Sequence, residues 1–265
     1  MSIEIKNVNC GDLSLKYFSF GKGSKVMIIL PGLSVQSVMG SAASIKAQYR
    51  IFENEYSVYV LDRRENLPED YNMEAMAEDT AAAINSLELR DAYIFGASQG
   101  GMLAMLIAAK YPELVKKLVL GSTTAKVSAE HFKDFKKWTD LAKKGDAEGL
   151  YMSFCEGIYP PDMFEKYKGV FLEFAKMTTN EDLARFVILA GAAEGFDITD
   201  RLEKISCPTL VLGVKGDKVV GENGSKMIAE KISDSKVYFY DEKYGHSAFD
   251  TAPDYTERIY NFFEE

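Results

Sequence analysis

One short stretch narrows what this chain can be more than any other: Gly96-Ala97-Ser98-Gln99-Gly100, set between the apolar run Ala92-Tyr93-Ile94-Phe95 and the helical stretch Met102 to Tyr111. Strand, tight turn and helix in that order give a G-x-S-x-G pattern its chemical meaning. The glycines remove side chains that would clash in a sharp reversal, and the reversal holds the serine hydroxyl proud of the sheet. The pattern predicts Ser98 as a nucleophile. Taken as five residues alone, it also fits a plain strand-to-helix turn.

A serine hydroxyl is a poor nucleophile near neutral pH, and histidine is the side chain that titrates in the range needed to take its proton. The chain has two histidines. His131 lies in the charged helical segment Ser128-Ala129-Glu130-His131-Phe132-Lys133, far from any strand end, and reads as a solvated surface residue. His246 follows the strand-like Lys236 to Tyr240, in the loop Tyr244-Gly245-His246-Ser247-Ala248, before a final helix with Pro253 near its start. It is the predicted base, with capping of that helix as the alternative.

An imidazole base calls for a carboxylate on its other nitrogen. Asp217 is the predicted acid, because Pro208 to Val214 is a continuous apolar run suited to a buried parallel strand and Lys215-Gly216-Asp217 follows it directly. It also falls between serine and histidine, the order expected after a strand–turn–helix nucleophile. The preceding strand, Lys117 to Leu120, runs into Gly121-Ser122-Thr123-Thr124 and offers no carboxylate. Asp197 and Asp200 precede the Asp217 strand and read as solvated helix-end carboxylates.

Acyl transfer passes through an oxyanion, which backbone N–H groups stabilise. One donor is expected from Gln99, directly after the nucleophile, and the other from the loop Pro31-Gly32-Leu33-Ser34 that ends the strand Val26 to Leu30. Gly32 permits close approach there and makes the Leu33 amide the predicted second donor. A simple Pro-Gly turn is the alternative for that loop.

With these pieces in place the chain resembles the α/β-hydrolase family over most of its length. The resemblance rests on Ile28-Ile29-Leu30-Pro31-Gly32, Phe95-Gly96-Ala97-Ser98-Gln99-Gly100-Gly101, Ala108 to Val115, Leu212 to Asp217 and Gly245-His246-Ser247. It implies an α/β fold, a mostly parallel sheet flanked by helices, with chemistry at the carboxyl ends of the strands and no metal or organic cofactor. Two departures stand out. Members often have histidine before the oxyanion-loop glycine, where this chain has Pro31, and often a D-x-R-G-x-G-x-S loop where it reads Asp62-Arg63-Arg64-Glu65-Asn66-Leu67-Pro68. The first bears on how the oxyanion loop is braced, the second on the nearby pocket wall.

The 265 residues, 47% hydrophobic, suffice for one large core. A formal charge of −9 without a dense Lys/Arg patch argues against nucleic acid or anionic membrane as a partner, and the resemblance implies a small-molecule, ester-like substrate. Nothing in the chain selects an oligomeric state. Cys10, Cys155 and Cys207 lack paired spacing and read as buried small residues. Met1 to Lys6 has no long apolar run and no later segment approaches a membrane span, so the expectation is a cytoplasmic enzyme.

Residues 125–202 are longer than a crossover needs and helical in pattern throughout, which predicts a helical cap inserted into a core formed by residues 1–124 and 203–265. Phe132, Phe135 and Trp138, then Phe171, Phe174 and Met177, recur at helical spacing, with Lys133, Lys136, Lys137, Lys143 and Lys144 as a solvated face. The aromatic residues either pack the cap on the core or line the pocket roof. Arg63 and Arg64, at the end of the strand Ser57 to Leu61, either clamp a substrate carboxylate or pair with Asp62, Glu65 or Asp70. The expected activity is a serine hydrolase cleaving carboxylic esters of small or medium acyl groups. Thioesterase, lactonase, C–C bond hydrolase, amidase and lyase chemistry on the same residues, and a ligand-binding receptor with negligible turnover, stay open.

Overall fold

The computed structural model describes residues 3–265; Met1 and Ser2, part of the N-terminal stretch read above, lie outside them. Among the described residues eight strands form one sheet: β1 (Lys6–Cys10), β2 (Leu13–Phe20), β3 (Lys25–Leu30), β4 (Tyr56–Arg64), β5 (Ala92–Ala97), β6 (Val115–Gly121), β7 (Thr209–Val214) and β8 (Ser235–Tyr240). Their spatial order is β1-β2-β4-β3-β5-β6-β7-β8. The pairs β1–β2 and β2–β4 are antiparallel, and every pairing from β4–β3 to β7–β8 is parallel.

Burial follows this topology. β5 and β7 lie inside the parallel region and are buried at every position, which is why they read as unbroken apolar runs. Alternate residues face opposite layers: Ile28, Leu30 and Ile94 join one core, while Met27, Ile29, Tyr93 and Phe95 join the other. β8, at the edge, leaves Val237 and Tyr238 exposed.

The helices are α1 (Ala42–Gln48), α2 (Met73–Ser86), α3 (Gln99–Lys110), α4 (Phe132–Lys143), α5 (Ala147–Ile158), α6 (Pro161–Met177), α7 (Asn180–Gly191), α8 (Glu222–Lys231), α9 (Ala248–Thr251) and α10 (Tyr255–Glu264). α3 is apolar nearly all round and buried from Gln99 to Ala108, as a helix enclosed on several sides must be. Among the described residues no helix is long and apolar enough to cross a membrane.

Helices α4 to α7 fill the connection between β6 and β7. Its two arms meet at a neck, where Val127 N–H donates to Phe196 O and Ile198 N–H to Ala125 O, both at 2.9 Å. Lys126 and Asp197 face each other across it in an ion pair of 2.8 Å. The connection is therefore not helical throughout. Asp197 is exposed but sits at the neck rather than at a helix end. Its pKa is held down at about 2 by the hydrogen bond from Lys126 and then by Thr199. The buried aromatic residues Phe135, Trp138, Phe154 and Phe186 belong to the same core cluster as α2 and α3, and the five lysines between them are exposed.

Several expectations need correction. β4 runs through Arg64, so Arg63 and Arg64 lie within the strand rather than after it. The short helix α9 intervenes before the final helix, and Pro253 falls between the two. Cys155 is buried, whereas Cys10 and Cys207 are half-buried. His131 is half-buried and not remote from a strand end. Its ring packs on Gly221, beyond β7, closely enough that a Cβ there would lie 2.7 Å from Cε1, and its Nδ1 is 2.9 Å from Ser128 Oγ.

Candidate active site

The turn between β5 and α3 places Ser98 at φ 52° and ψ −121°, a conformation non-glycine residues rarely adopt. Its neighbours hold it there. Ser98 N–H donates to Gly121 O at 2.8 Å, and Thr123 Oγ1 donates to Ser98 O at 2.7 Å. Gly100 has no side chain because a Cβ there would collide with the carbonyl of Leu30, and one at Gly96 would collide with Gly100. The packing of α3 on the ends of β3 and β5 therefore fixes the small residues of the motif.

His246 and Asp217 converge on this turn from the ends of β8 and β7. Nε2 of His246 lies 3.0 Å from Ser98 Oγ, and Nδ1 lies 2.9 Å from Asp217 Oδ2 and 3.1 Å from Oδ1. All three side chains are buried, at 9% exposure or less. Burial pushes the Asp217 carboxyl pKa up, but the charge and hydrogen bond of His246, with the amides of Val220 and Val219, outweigh it and hold the group below the usual carboxylate value. An ionised Asp217 only accepts, so Nδ1 carries hydrogen, and Nε2 of a neutral ring accepts from the Ser98 hydroxyl. The His246 loop is braced from α5: Ser247 N–H donates to Ile158 O at 3.0 Å, and Gly245, at φ 62°, packs against that same carbonyl. His131 takes no part in this cluster.

The Pro31-Gly32-Leu33 loop lies directly against the serine, with space for a Gly32 Cβ only 3.1 Å from Ser98 Cβ. Among the described residues neither the Leu33 nor the Gln99 amide donates to an acceptor within the chain. The Gln99 side chain reaches α7, donating from Nε2 to Leu189 O at 2.6 Å.

A slot of about 30 Å³ stands over Ser98, bordered by Gly32, Leu33, Phe135, Trp138, Phe154, Ile158, Val219, His246 and Phe249. Phe135 and Trp138 therefore face the serine. Phe171, Phe174 and Met177 border an open outer groove of about 820 Å³ instead, and Phe174 and Met177 are exposed rather than packed. Sequence reasoning missed Phe154, Ile158 and Phe249. The first two form an i,i+4 apolar pair on α5, and the third lies three residues past His246, so both signals were present.

Arg63, Arg64 and Asp62 are partnered otherwise than the sequence suggested. Arg63 is buried and donates from Nη2 to Pro31 O at 2.7 Å, and among the described residues it forms no ion pair with Asp62, Glu65 or Asp70. Arg64 pairs with Asp79 and Asp12, not with Asp62, Glu65 or Asp70. Asp62, also buried, accepts from Ser37 Oγ at 2.5 Å, from the Arg63 amide at 2.8 Å and from Arg185 of α7 at 2.9 Å. Ser37 and Arg185 are far from Asp62 in the chain and leave no local signature.

A family profile described as the alpha/beta hydrolase fold matches residues 25–253. The chain belongs to this family. It is 23% identical over 247 residues to the serine hydrolase BPHL of Mus musculus, covering 86% of this chain and 75% of that protein. It is likewise 23% identical over 240 residues to the 3-oxoadipate enol-lactonase 2 of Acinetobacter baylyi, covering 83% and 82%. Among solved structures, MGS-M2, an alpha/beta hydrolase enzyme from a Medee basin deep-sea metagenome library, superimposes with a TM-score of 0.88 at 23% identity over 98% of both chains. The chain is thus a hydrolase of the α/β-hydrolase fold.

Proposed function

We propose that this hydrolase cleaves carboxylic esters of small or medium acyl groups through an acyl-Ser98 intermediate. The hydrogen-bonded line from Ser98 Oγ through His246 to Asp217, behind a backbone held at positive φ, carries the reading. Ser98 Oγ attacks the ester carbonyl carbon while His246 Nε2 takes its proton. Asp217 fixes the ring and stabilises the imidazolium. The carbonyl oxygen becomes an oxyanion that accepts from the Leu33 and Gln99 amides. As the intermediate collapses, His246 protonates the departing alcohol. Water, deprotonated by His246, then attacks the acyl carbon and releases the acid and free Ser98.

Residues 125–202 serve as the cap in this reading, with Phe135, Trp138 and Phe154 excluding water from the acyl group. The core comprises residues 1–124 and 203–265. Labelling by a fluorophosphonate probe, abolished in Ser98→Ala, with multiple turnover of a p-nitrophenyl ester series, is the expected result. Labelling without turnover would instead mark a receptor. The similarity to an enol-lactonase favours a second reading, ring opening of a lactone by the same residues, measured as acid release from a lactone panel.

A further inference from the structure

Beside the slot lies a second cavity, of about 400 Å³, that shares Gly32, Leu33, Phe154, Ile158 and Phe249 with it. Asp250 is the one charged side chain among the described residues lining this cavity, and Tyr49, Phe95, Phe154, Tyr159 and Phe249 give it aromatic walls. Asp250 lies on α9, four residues beyond His246. Its Oδ2 accepts from the Tyr159 hydroxyl at 3.2 Å, and among the described residues no lysine or arginine pairs with it. Asp250 is exposed, and the protein packed around its carboxylate pushes its pKa up to about 6, against the hydrogen bonds of Tyr159 and Gln48. The groups facing it are Tyr159 at the end of α5, Gln48 and Tyr49 at the end of α1, and Tyr255 on α10. Burial raises the pKa of all three phenols, so they stay neutral while Asp250 titrates.

At neutral pH the cavity thus holds an uncompensated negative charge among aromatic faces. A carboxylate facing an aromatic-walled cavity attracts a cation, and the aromatic faces favour one that arrives already poorly hydrated. A quaternary or primary ammonium satisfies both.

We propose that this cavity is a subsite for a cationic ammonium group carried by the substrate, with Asp250 as its counter-charge and the rings around it as a cage. The substrate class would then be esters bearing such a group on the portion that extends past Gly32 and Leu33. For its chemistry this rests on the acyl-Ser98 reading; for binding it does not.

The test compares two esters of nearly equal shape, acetylcholine and the neutral 3,3-dimethylbutyl acetate, as a ratio of kcat/KM. Any effect on Ser98 or His246 cancels in that ratio. It should exceed unity by about tenfold or more near neutral pH. Because kcat/KM reports the free enzyme, the ratio should fall as pH drops through about 6, where Asp250 takes up a proton and loses its charge. Asp250→Asn should lower it about tenfold, whatever happens to the two rates together. A ratio near one that is flat with pH overturns the subsite while leaving ester hydrolysis standing, and the wild-type pH series needs no variant to fold. Calorimetric binding of butyltrimethylammonium to the wild-type protein supplies the arm that needs no turnover. If neither ester is hydrolysed yet this cation binds and is weakened at low pH, the subsite stands and the acyl-Ser98 reading fails. If it does not bind, the subsite fails as well.

Discussion

The guanidinium of Arg63 donates at 2.7 Å to the carbonyl oxygen of Pro31. The Pro31-Gly32-Leu33 loop is thus held from the neighbouring strand β4. Burial pushes the Arg63 pKa down to about 10, outweighing the nearby charge of Asp62, yet leaves it protonated at neutral pH. Arg63→Met keeps much of the bulk and deletes the donor. If Arg63 aims the Leu33 amide, kcat per titrated active site should fall about tenfold with KM little changed, less than the loss of a whole oxyanion donor. A merely structural role would lower the melting temperature and the titratable fraction while leaving kcat per site intact.

Ser98 and His246 lie in one hydrogen-bonded line, so their contributions should not add. Each alanine variant should lose several powers of ten in turnover, and the double variant little more. Asp217→Asn should cost on the order of a hundred-fold or more, because the imidazolium loses its counter-charge and the ring can settle in the wrong tautomer. His131→Ala, measured alongside at matched stability, should leave turnover near normal. Additive losses would sink the shared-line assignment.

Asp62→Asn belongs to a different class of effect. The sequence alone gives no reason to expect more than a mild change, but the structure shows a buried carboxylate with three donors, one of them Arg185. Removing its charge strands a guanidinium that is only 16% exposed. A loss of about 2 to 3 kcal/mol in unfolding free energy is expected, somewhat less than for a fully buried broken pair because Arg185 retains some contact with water. Urea denaturation measures it, and a midpoint equal to wild type would refute the pairing.

Trp138 and Phe135 leave only about 30 Å³ over Ser98. Trp138→Ala should move the preferred acyl length upward, each methylene newly accommodated adding up to about 0.8 kcal/mol to transition-state binding. Rates across a p-nitrophenyl ester series reveal the shift. An unchanged length optimum would place the acyl group elsewhere, in the 400 Å³ cavity beside Asp250.

Asp250 also makes a prediction about stability. Its folded pKa, about 6, lies above the ordinary aspartate value of 3.8, so the native protein binds this proton more tightly than the unfolded chain. The contribution of Asp250 to stability therefore falls as pH rises from about 4 to about 6 and levels off above, the reverse of an ion-paired carboxylate. Asp250→Asn removes the term. Its melting temperature relative to wild type should improve more at pH 7 than at pH 4, and a difference independent of pH would contradict the raised value.

The sheet and the Ser98 turn were legible because β3, β5 and β7 lie in the parallel region, where burial on both faces leaves an unbroken apolar run. The ends of those runs then located Leu33, Ser98 and Asp217. Only two histidines were present, which brought His246 forward. Charges whose partners come from distant helices and loops were not legible. Arg63 looked like a loop residue because a strand ending in Asp62-Arg63-Arg64 has no hydrophobic signature, and its acceptor is a backbone carbonyl, which no side-chain pattern marks. Asp250 carries no signal in the sequence pattern. Only the convergence of α1, α5 and α9 turns it toward a cavity.

The neck at Val127 and Phe196 has a consequence for how the chain assembles. β6 and β7 pair side by side although residues 122–208 separate them, and bringing together the ends of so long a loop costs chain entropy. Helices α4 to α7 are contiguous in sequence and form through nearby contacts, so they can gather before the strands meet. Once the neck closes, the effective contour between β6 and β7 shrinks to the short segments on either side of it, and sheet growth past β6 becomes nearly a local event. The kinetic expectation is that weakening the neck, as in Lys126→Ala, slows refolding more than it speeds unfolding.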